Sequence, residues 1–266
     1  VCYMTREEII AISNGYINGE DRNKLKEFFS DLNNVRTNRR TIVFSTPSET
    51  GTSFFRILEP LLAIYRATDD FNLIYTEKIT PFMIEVADLI VVHRAGSEHD
   101  QIHTLMKHLP REKVPPVIVH NVDDNEFNLP PSHPMKDMWI AMGKDKMAIR
   151  SISESDHVET TTKKLASTFK GYNRSVHIRR NRFNWNLPQW NMDDTKKKEM
   201  FGDKIVVGWC GLTSHFNDLI KMKPILKRIQ EEFPNVHILL AGMAISDKKY
   251  EVKQDPNTGQ KYVEES

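Results

Sequence analysis

The sequence of 266 residues predicts an α/β protein made of two Rossmann-like domains, the second of them incomplete. Short apolar runs alternate along the chain with segments of helical periodicity, and strands that are separated by helices pair in parallel. The runs are continuous in Val, Ile and Leu, as expected when helices cover both faces of a sheet. A doubly wound sheet is therefore the predicted architecture of the first domain.

The first Rossmann-like domain is predicted over residues 41–182, after a helical extension over residues 1–40. Helical spacing over residues 5–32 and a capping box formed by Thr5 and Glu8 predict the extension. The predicted strands of the domain are residues 41–45, 72–76, 88–93, 117–121, 157–161 and 176–179. The predicted helices are residues 54–65, 81–86, 101–108 and 162–172.

A further helical stripe lies between the fourth and fifth strands. Its members are Met135, Met138, Trp139 and Met142. Their spacing is that of one face of a helix, and a methionine stripe usually packs in a core. We interpret it as core packing.

The second domain is predicted over residues 204–266, after a linker at residues 183–203 that is rich in Asn, Asp, Lys and aromatic residues. A strand at 205–209, a loop at 210–217, a helix at 218–233 and a strand at 236–241 form one βαβ unit. The sequence predicts no further element in residues 246–266. Because one such unit cannot close a core, the domain is expected to be truncated or completed by something else.

Composition limits the classes of function. The 37 Lys and Arg residues balance 36 Asp and Glu residues, so no overall field attracts nucleic acid or an anionic membrane. Cys2 and Cys210 lack the spacing of zinc ligands, which favours a reducing compartment and no metal. No apolar run approaches the roughly 20 residues that span a bilayer, and no secretory signal is recognised. A cytoplasmic protein without a membrane span is expected.

The most informative motif follows the strand at 205–209, where Gly211, Thr213, Ser214 and His215 precede a helix. Backbone N–H groups and the positive end of a helix can hold a phosphate at such a turn. Alternatively, the glycines only permit a tight turn while Asn217 caps the helix. The residues alone leave both interpretations open.

Several segments, in order, resemble group 1 (GT4-like) glycosyltransferases of the GT-B fold, of bacterial or phage type. In chain order, these segments are GTSFFRILEPLLAI, ADLIVVHR, PPVIVHNVDDNEF, SESDHVETTTKKLASTF, SVHIRRNRFN, IVVGWCGLTSHFNDL and KPILKRIQEEFPNVHILLAG. In the first, Gly51, Arg56 and Pro60 match the spacing of the family's first glycine loop and helix. The resemblance covers residues 41–245 and implies a hexosyltransferase that moves a sugar from a nucleotide-sugar donor to an acceptor.

The resemblance also implies roles for individual residues. The donor would be bound by Gly211, Thr213, Ser214, His215 and Lys221. The acceptor would be bound by Gly51, Thr52, Arg56 and Arg94. No metal and no cofactor other than the sugar nucleotide, which is a substrate, are implied. The acceptor would be a glycan, a protein or DNA.

The sequence departs from the family where the donor is held. The family has Arg and Lys shortly after the second glycine loop, whereas this chain has Lys221 only later, and the acidic E-x7-E motif has no match. An alternative is therefore a non-catalytic nucleotide- or glycan-binding or assembly protein on the same scaffold. A dinucleotide-binding enzyme is disfavoured because no G-x-G-x-x-G follows a strand.

Asp123, Asp124 and His215 are the candidate catalytic residues. The two carboxylates follow a strand at the edge where open α/β sheets bind ligands, and they could serve as a general base, grip a cation, position the acceptor or cap a helix. We favour acceptor positioning or capping over a metal. His215 could instead be structural or exposed, and Arg56 could form a surface salt bridge with Glu59 or Asp88.

The stretch 174–190 interleaves basic and aromatic residues. Arg174, Arg179, Arg180 and Arg182 are basic, and Phe183, Trp185 and Trp190 are aromatic. Such a pattern can hold phosphates and stack bases. Packing around the end of a strand and a linker is the interpretation that we favour.

Overall fold

The chain divides into two compact units, residues 1–192 and 193–266, which we call the first and second units. The computed structural model describes residues 4–15, 17–47, 51–94, 96–110, 112–129, 131, 136–182, 193–211, 215–242, 250–254 and 261–265. Within these residues, no helix is both long enough and apolar enough to cross a bilayer.

A six-stranded sheet forms the centre of the first unit, and all its neighbouring strands are parallel. Its spatial order is β2-β1-β3-β4-β5-β6. The strands are Arg40–Ser45 (β1), Phe71–Thr76 (β2), Leu89–His93 (β3), Val117–Asn121 (β4), His157–Thr160 (β5) and Val176–Ile178 (β6). All six lie within about one residue of the predicted strands, so the predicted parallel α/β sheet is confirmed.

Helices connect the strands. They are Arg6–Asn14 (α1), Gly19–Ser30 (α2), Gly51–Ser53 (α3), Glu59–Ala67 (α4), Pro81–Val86 (α5), Gly96–Met106 (α6), Lys136–Ala141 (α7), Lys144–Glu154 (α8) and Lys163–Phe169 (α9). A 3-10 turn at Leu32–Asn34 precedes β1, and Phe54–Leu58 is a π-helical segment that joins α3 to α4.

One face of the sheet packs against α1, α2 and α4. Phe44 and Val91 on the strands belong to the same buried cluster as Ile9, Leu25 and Leu61 on the helices. The predicted capping box of Thr5 and Glu8 is present, but the predicted helix over residues 5–32 is divided into two. A second capping box at Asn18 starts α2. The N-terminal helices therefore share the core of the sheet.

The opposite face packs against α5, α6, α8 and α9. Val43 and Ile118 of the strands share a buried cluster with Ile84 of α5 and Ile102 of α6. Farther along the sheet, a cluster joins the strands to α8 and α9, and it consists of Val122, Ile152, Val158 and Phe169. Each face of the sheet is thus built from alternate strand residues, as the period of a strand requires.

The helix after β1 passes through a π-helical segment just before a proline. In this segment, Glu59 N–H bonds to the carbonyl of Phe54, five residues back. Pro60 has no N–H, so the carbonyl of Arg56 lacks its usual donor four residues along. The carbonyl of Arg56 accepts a hydrogen bond from Arg179 Nη2 at 2.7 Å. A side chain from beyond β6 therefore replaces the missing helical bond.

Three elements of the structure contradict the predictions. The helix α8 was not predicted. The expected core stripe on α7 is wrong, because Met138 and Met142 are 47% and 57% exposed, while Met135 lies outside the described residues. Residues 246–266, predicted to lack structure, include an antiparallel hairpin of Tyr250–Gln254 (β9) and Lys261–Glu265 (β10).

The second unit contains the predicted βαβ arrangement. Ile205–Cys210 (β7) pairs in parallel with Val236–Ala241 (β8), and Phe216–Glu232 (α11) connects them. A helix at Thr195–Phe201 (α10) lies in the segment assigned to the linker. Over residues 193–211, 215 and 217–242, where burial is described, Leu219 is the only fully buried apolar side chain. Several others are exposed, including Ile205, Val207, Ile220, Ile225, Phe233 and Leu239.

Candidate functional site

The carboxyl edge of the first unit's sheet is the natural place for a ligand. Beyond β1 the chain enters the helices on one face, and beyond β3 it enters α6 on the other. In open parallel sheets, ligands bind in the crevice that forms where neighbouring strands send their connections to opposite faces. The residues that end β1, β3 and β4 therefore define a candidate site.

A chain of polar contacts crosses this edge from β1 to the residue pair that follows β4. Thr46 Oγ1 lies 3.4 Å from His93 Nδ1, and His93 Nε2 lies 3.5 Å from Asp123 Oδ1. His93 is the last residue of β3 and its side chain is buried. The contacts place an ionisable ring at the centre of the edge.

Arg94 contacts all three carboxylates of the site, those of Asp123, Asp124 and Glu126. Its guanidinium donates to Asp123 Oδ1 from Nε at 3.0 Å and from Nη2 at 2.9 Å, and it also bonds to Asp124. Arg94 has a φ of 53°, which is uncommon for a residue with a side chain. Its N–H bonds to the carbonyl of Asn121 at 3.1 Å, which holds this strained conformation in place.

Asp123 is stabilised in its charged form. Burial alone would raise the pKa of this carboxyl group, but His93 and the positive charge of Arg94 lower it to about 2. Asp123 is therefore an ionised partner in an ion pair. Neither Asp123 nor Asp124 caps a helix within residues 122–129, so the predicted capping role is wrong.

Glu126 has the opposite electrostatic character. Burial raises the pKa of its carboxyl group, and the nearby charges of Asp124 and Asp123 raise it further against the opposing effect of Arg94. Glu126 Oε1 lies 3.7 Å from Arg94 Nε, so it is the most distant of the three carboxylates around that guanidinium. Carboxyl groups with raised pKa values are suited to proton transfer near neutral pH.

Glu126 also lines a cleft of about 230 Å³. The described residues around the cleft are Glu126, Phe127, Asn128, Leu129, Lys136, Trp139, Ile140 and Asp145. Trp139 Nε1 and Asp145 Oδ1 are buried and have no hydrogen-bond partner among the described residues. Buried polar groups are normally paired, so these two atoms are available to a ligand.

A larger cleft of about 340 Å³ lies near the amino ends of the strands. Phe71 and Asn72, which begin β2, line it together with Arg39 and Asp69. Arg39 and Asp69 form an ion pair with each other. Because ligands in this fold class bind at the carboxyl ends of the strands, the smaller cleft is the better candidate.

Arg56, predicted to bind the acceptor, is completely buried and ties the helix after β1 to β4 and to the segment that follows β6. Its Nε donates to Asn121 Oδ1 at 2.8 Å, and Nη1 donates to the carbonyl of Arg179. Burial, followed by the charge of Arg179, lowers the pKa of Arg56 to about 10. The alternative of a surface salt bridge is wrong, since Glu59 pairs with Arg66 at 2.6 Å.

Glu159 completes this second group of contacts. Its Oε2 accepts a hydrogen bond from Asn121 Nδ2 and another from Arg179 Nε, both at 2.8 Å. The carboxylate thus balances the two arginines and holds the ends of β4 and β5 together. We interpret Arg56 as a positioning residue behind the edge.

Of the other predicted acceptor residues, Arg94 pairs with Asp123 at the carboxyl edge, and Gly51 and Thr52 lie at the start of the helix that contains Arg56. Gly51 opens α3, and a Cβ built on it would meet no atom within 4 Å. Its neighbour Thr52 is half-buried. The three residues before Gly51 lie outside the described residues, so the tip of this loop is not described.

In the second unit, the predicted donor residues are only partly described. Thr213 and Ser214 lie outside the described residues. A Cβ on Gly211 would come within 2.4 Å of the Trp209 ring, and one on Gly242 would come within 2.3 Å of the Gly211 carbonyl. Glycine at 242 permits the chain after β8 to approach the end of β7, and glycine at 211 leaves room for the Trp209 ring.

His215 and Lys221 are both exposed. His215 occupies the N-cap position of α11 without a capping bond from its side chain, and its Nδ1 lies 3.2 Å from Asp218 Oδ2. Because α11 begins at Phe216, Asn217 lies inside the helix, and the alternative in which it is the cap is wrong.

The predicted catalytic residues belong to different units, with Asp123 and Asp124 in the first and His215 in the second. Sequence reasoning missed Glu126, His93 and Trp139. His93 ends a strand, and Glu126 follows Asp123 by three residues. The expectation that polar residues at the carboxyl edge of the sheet bind ligands, which identified Asp123, therefore applies to His93 and Glu126 as well. Of the basic and aromatic stretch, Phe183, Trp185 and Trp190 lie outside the described residues.

Comparisons with known proteins were made for the whole chain. No family model matches it, and no curated protein aligns with it significantly. The chemistry of the residues at the carboxyl edge is therefore the evidence for function.

Proposed function

We propose that the protein is a glycosyltransferase whose two units are Rossmann-like domains of the GT-B type, and that the first unit binds the acceptor sugar in the cleft beside Glu126. The observation that carries this proposal is the combination of a buried carboxyl group, an indole ring and unpaired polar atoms in one cleft at the carboxyl edge. A ring such as Trp139 offers a flat apolar surface to a sugar, while the polar atoms bond its hydroxyl groups.

Glu126 is the proposed general base. The acceptor hydroxyl oxygen would form a bond to the anomeric carbon of the donor as the bond to the leaving diphosphate breaks, and Glu126 would take the hydroxyl proton. Its raised pKa favours this role over Asp123, whose carboxylate is paired with Arg94.

The second unit would bind the nucleotide sugar. The N-terminus of α11 follows the glycine turn at Gly211, and a helix of 17 residues carries a positive end suited to a diphosphate. His215, which precedes α11, and Lys221, in the second turn of α11, are both exposed. The supply of nucleotide sugars in the cytoplasm accords with a cytoplasmic location.

A screen of UDP- and GDP-sugars, with and without simple glycan acceptors, tests the function. We expect one donor to raise the melting temperature and to be turned over. In Glu126→Gln, turnover should fall by at least about 100-fold while the shift in melting temperature is retained. Glu112→Gln, at an exposed glutamate away from the cleft, is the matched control. The proposal fails if no donor binds or if Glu126→Gln remains fully active.

The same substitution has a pH signature. Because burial raises the pKa of Glu126, its ionised form destabilises the folded state above that pKa. Glu126→Gln should therefore melt at a higher temperature than the wild type near pH 7, and the difference should disappear below about pH 4.3, where the group is neutral in both states. Equal melting temperatures of the wild type and Glu126→Gln at pH 7 would contradict the burial of the Glu126 carboxyl group.

A non-catalytic glycan-binding protein is the second candidate. The observation that favours it is the pairing of both Asp123 and Asp124 with Arg94, which occupies the two carboxylates predicted from the sequence. In this case, a glycan would bind the chain and Trp139→Ala would abolish binding, whereas no nucleotide sugar would be hydrolysed or transferred.

A further inference from the structure

Two histidines and a glutamate converge between α6 and α8 of the first unit. His99 and His103 are four residues apart on α6, and Glu154 is the last residue of α8. One ligand atom from each of the three lies within 4.8 Å of the others. His99 is buried, His103 is half-buried and Glu154 is exposed, so the cluster opens to solvent on one side.

The distances are close to those of a metal site. Glu154 Oε2 lies 3.2 Å from His99 Nε2 and 4.0 Å from His103 Nε2. A tetrahedral zinc ion with bonds of about 2.1 Å separates its ligand atoms by about 3.4 Å. All three separations between the ligand atoms are at most 4.8 Å. Two histidines one turn apart on a helix and one carboxylate form a set of ligands that zinc accepts.

The unpaired atoms of the cluster support a ligand. His103 Nε2 is buried and has no hydrogen-bond partner among the described residues. The rings of His99 and His103 lie 4.3 Å apart between their centroids, so both approach the same carboxylate. A hydrogen bond from His99 to Glu154 leaves the nitrogen of His103 unpaired, whereas a metal ion satisfies both nitrogens.

The surroundings of Glu154 hold it in position. Arg150 Nε donates to Glu154 Oε1 at 2.9 Å, which leaves Oε2 directed at the histidines. Arg150 Nη1 in turn lies 3.0 Å from Asp100 Oδ1 on α6. Groups behind a metal ligand orient it in this way and contribute to affinity.

We propose that His99, His103 and Glu154 form a binding site for Zn²⁺ that joins α6 to α8. The three protein ligands leave the fourth tetrahedral position to water. The site would stabilise the first unit by bridging two helices that are distant in sequence. This inference concerns a different part of the molecule and does not depend on the proposed function.

Zinc binding to the full-length, chelator-treated protein tests the proposal. Isothermal titration calorimetry should show one Zn²⁺ per chain, and added Zn²⁺ should raise the melting temperature. Co²⁺ in the same site should give the intense visible absorption of a four-coordinate ion. Absence of stoichiometric binding would overturn the assignment.

Variants identify the ligands. His103→Ala and Glu154→Gln should each weaken Zn²⁺ affinity at least tenfold, and Arg150→Ala by about tenfold. Glu154→Gln keeps the size of the side chain, so it separates loss of a ligand from loss of packing. His108→Ala removes an exposed histidine just beyond α6 and should leave affinity unchanged. Full affinity in either ligand variant, with its circular dichroism spectrum unchanged, would refute the site, and so would loss of binding in His108→Ala.

Discussion

Asp123 and Asp124 are neighbours in sequence but differ in environment. The side chain of Asp123 is 8% exposed and meets both His93 and Arg94, whereas that of Asp124 is 63% exposed and meets Arg94 alone. Water screens an exposed ion pair and weakens it. Although both aspartates pair with Arg94, only Asp123 should contribute substantially to stability.

Acid unfolding of Asp123→Asn tests this difference. The folded-state pKa of Asp123, about 2, lies below the unfolded value, so the carboxylate stabilises the fold above about pH 3.9 and loses its effect as the pH falls toward 2. We expect Asp123→Asn to reduce the free energy of unfolding by ~2 kcal/mol at pH 7. This difference in the free energy of unfolding between the wild type and Asp123→Asn should shrink as the pH falls from 4 to 2.

Urea denaturation at a series of pH values measures both effects. Asp124→Asn is the matched control, and it should cost no more than about 0.5 kcal/mol. A deficit in Asp123→Asn that is unchanged at low pH would show that the amide disturbs packing and that the lost charge is not the cause.

At the residue scale, the sequence predicted the position of Asp123 but not its role. Its place after an apolar strand fixes the edge on which it lies, and that part was predictable. Its partner Arg94 follows a different strand, and the depth of burial depends on the assembled sheet. The same limit applies to Arg56, whose burial is determined by Asn121 and Arg179, residues far away in sequence.

The helix after β1 shows how one proline links distant elements. Pro60 cannot bond to the Arg56 carbonyl, and Arg179 supplies the donor from beyond β6. The apolar stripe over residues 54–65 predicted a helix correctly. It could not predict the hydrogen bond to the Arg56 carbonyl, since the donor, Arg179, lies in another part of the chain.

A double-mutant cycle tests this link. Arg179→Ala leaves the carbonyl of Arg56 without its side-chain donor, which should reduce the free energy of unfolding by about 1–3 kcal/mol. In a Pro60→Ala background, residue 60 regains an N–H that can bond to the same carbonyl. Arg179→Ala should then cost about 1 kcal/mol less than in the wild type.

Urea denaturation of the wild type, the two single variants and the double variant gives the coupling free energy between residues 60 and 179. Arg180→Ala removes an exposed neighbour of Arg179 and serves as the control, with an expected effect within about 0.5 kcal/mol in either background. Strictly additive effects of Pro60→Ala and Arg179→Ala would contradict the replacement of a helical bond by Arg179.

At the scale of the whole molecule, alternation of strands and helices was enough to predict the parallel sheet of the first unit. The hairpin of β9 and β10 was missed, because its strands are too polar to stand out as apolar runs. The candidate cleft was missed as well, since Met138 of α7 and Met142 just after it are exposed where the spacing suggested a core. Periodicity identifies a helix more reliably than it identifies the surface that the helix covers.

The two units should differ in their ability to fold alone. Every member of the three buried clusters lies within residues 1–192, whereas Leu219 is the only fully buried apolar side chain over residues 193–211, 215 and 217–242, where burial is described. The described part of the second unit thus shows little apolar burial to offset the loss of chain entropy, and sheets of two strands, such as the pair β7 and β8, are marginal in water. Expressed separately, residues 1–192 should melt in one cooperative transition near that of the full chain. Residues 193–266 should show no cooperative transition by circular dichroism and little dispersion in their NMR amide signals. A cooperative transition in the smaller fragment would show that its exposed strands suffice for a stable fold, contrary to this expectation.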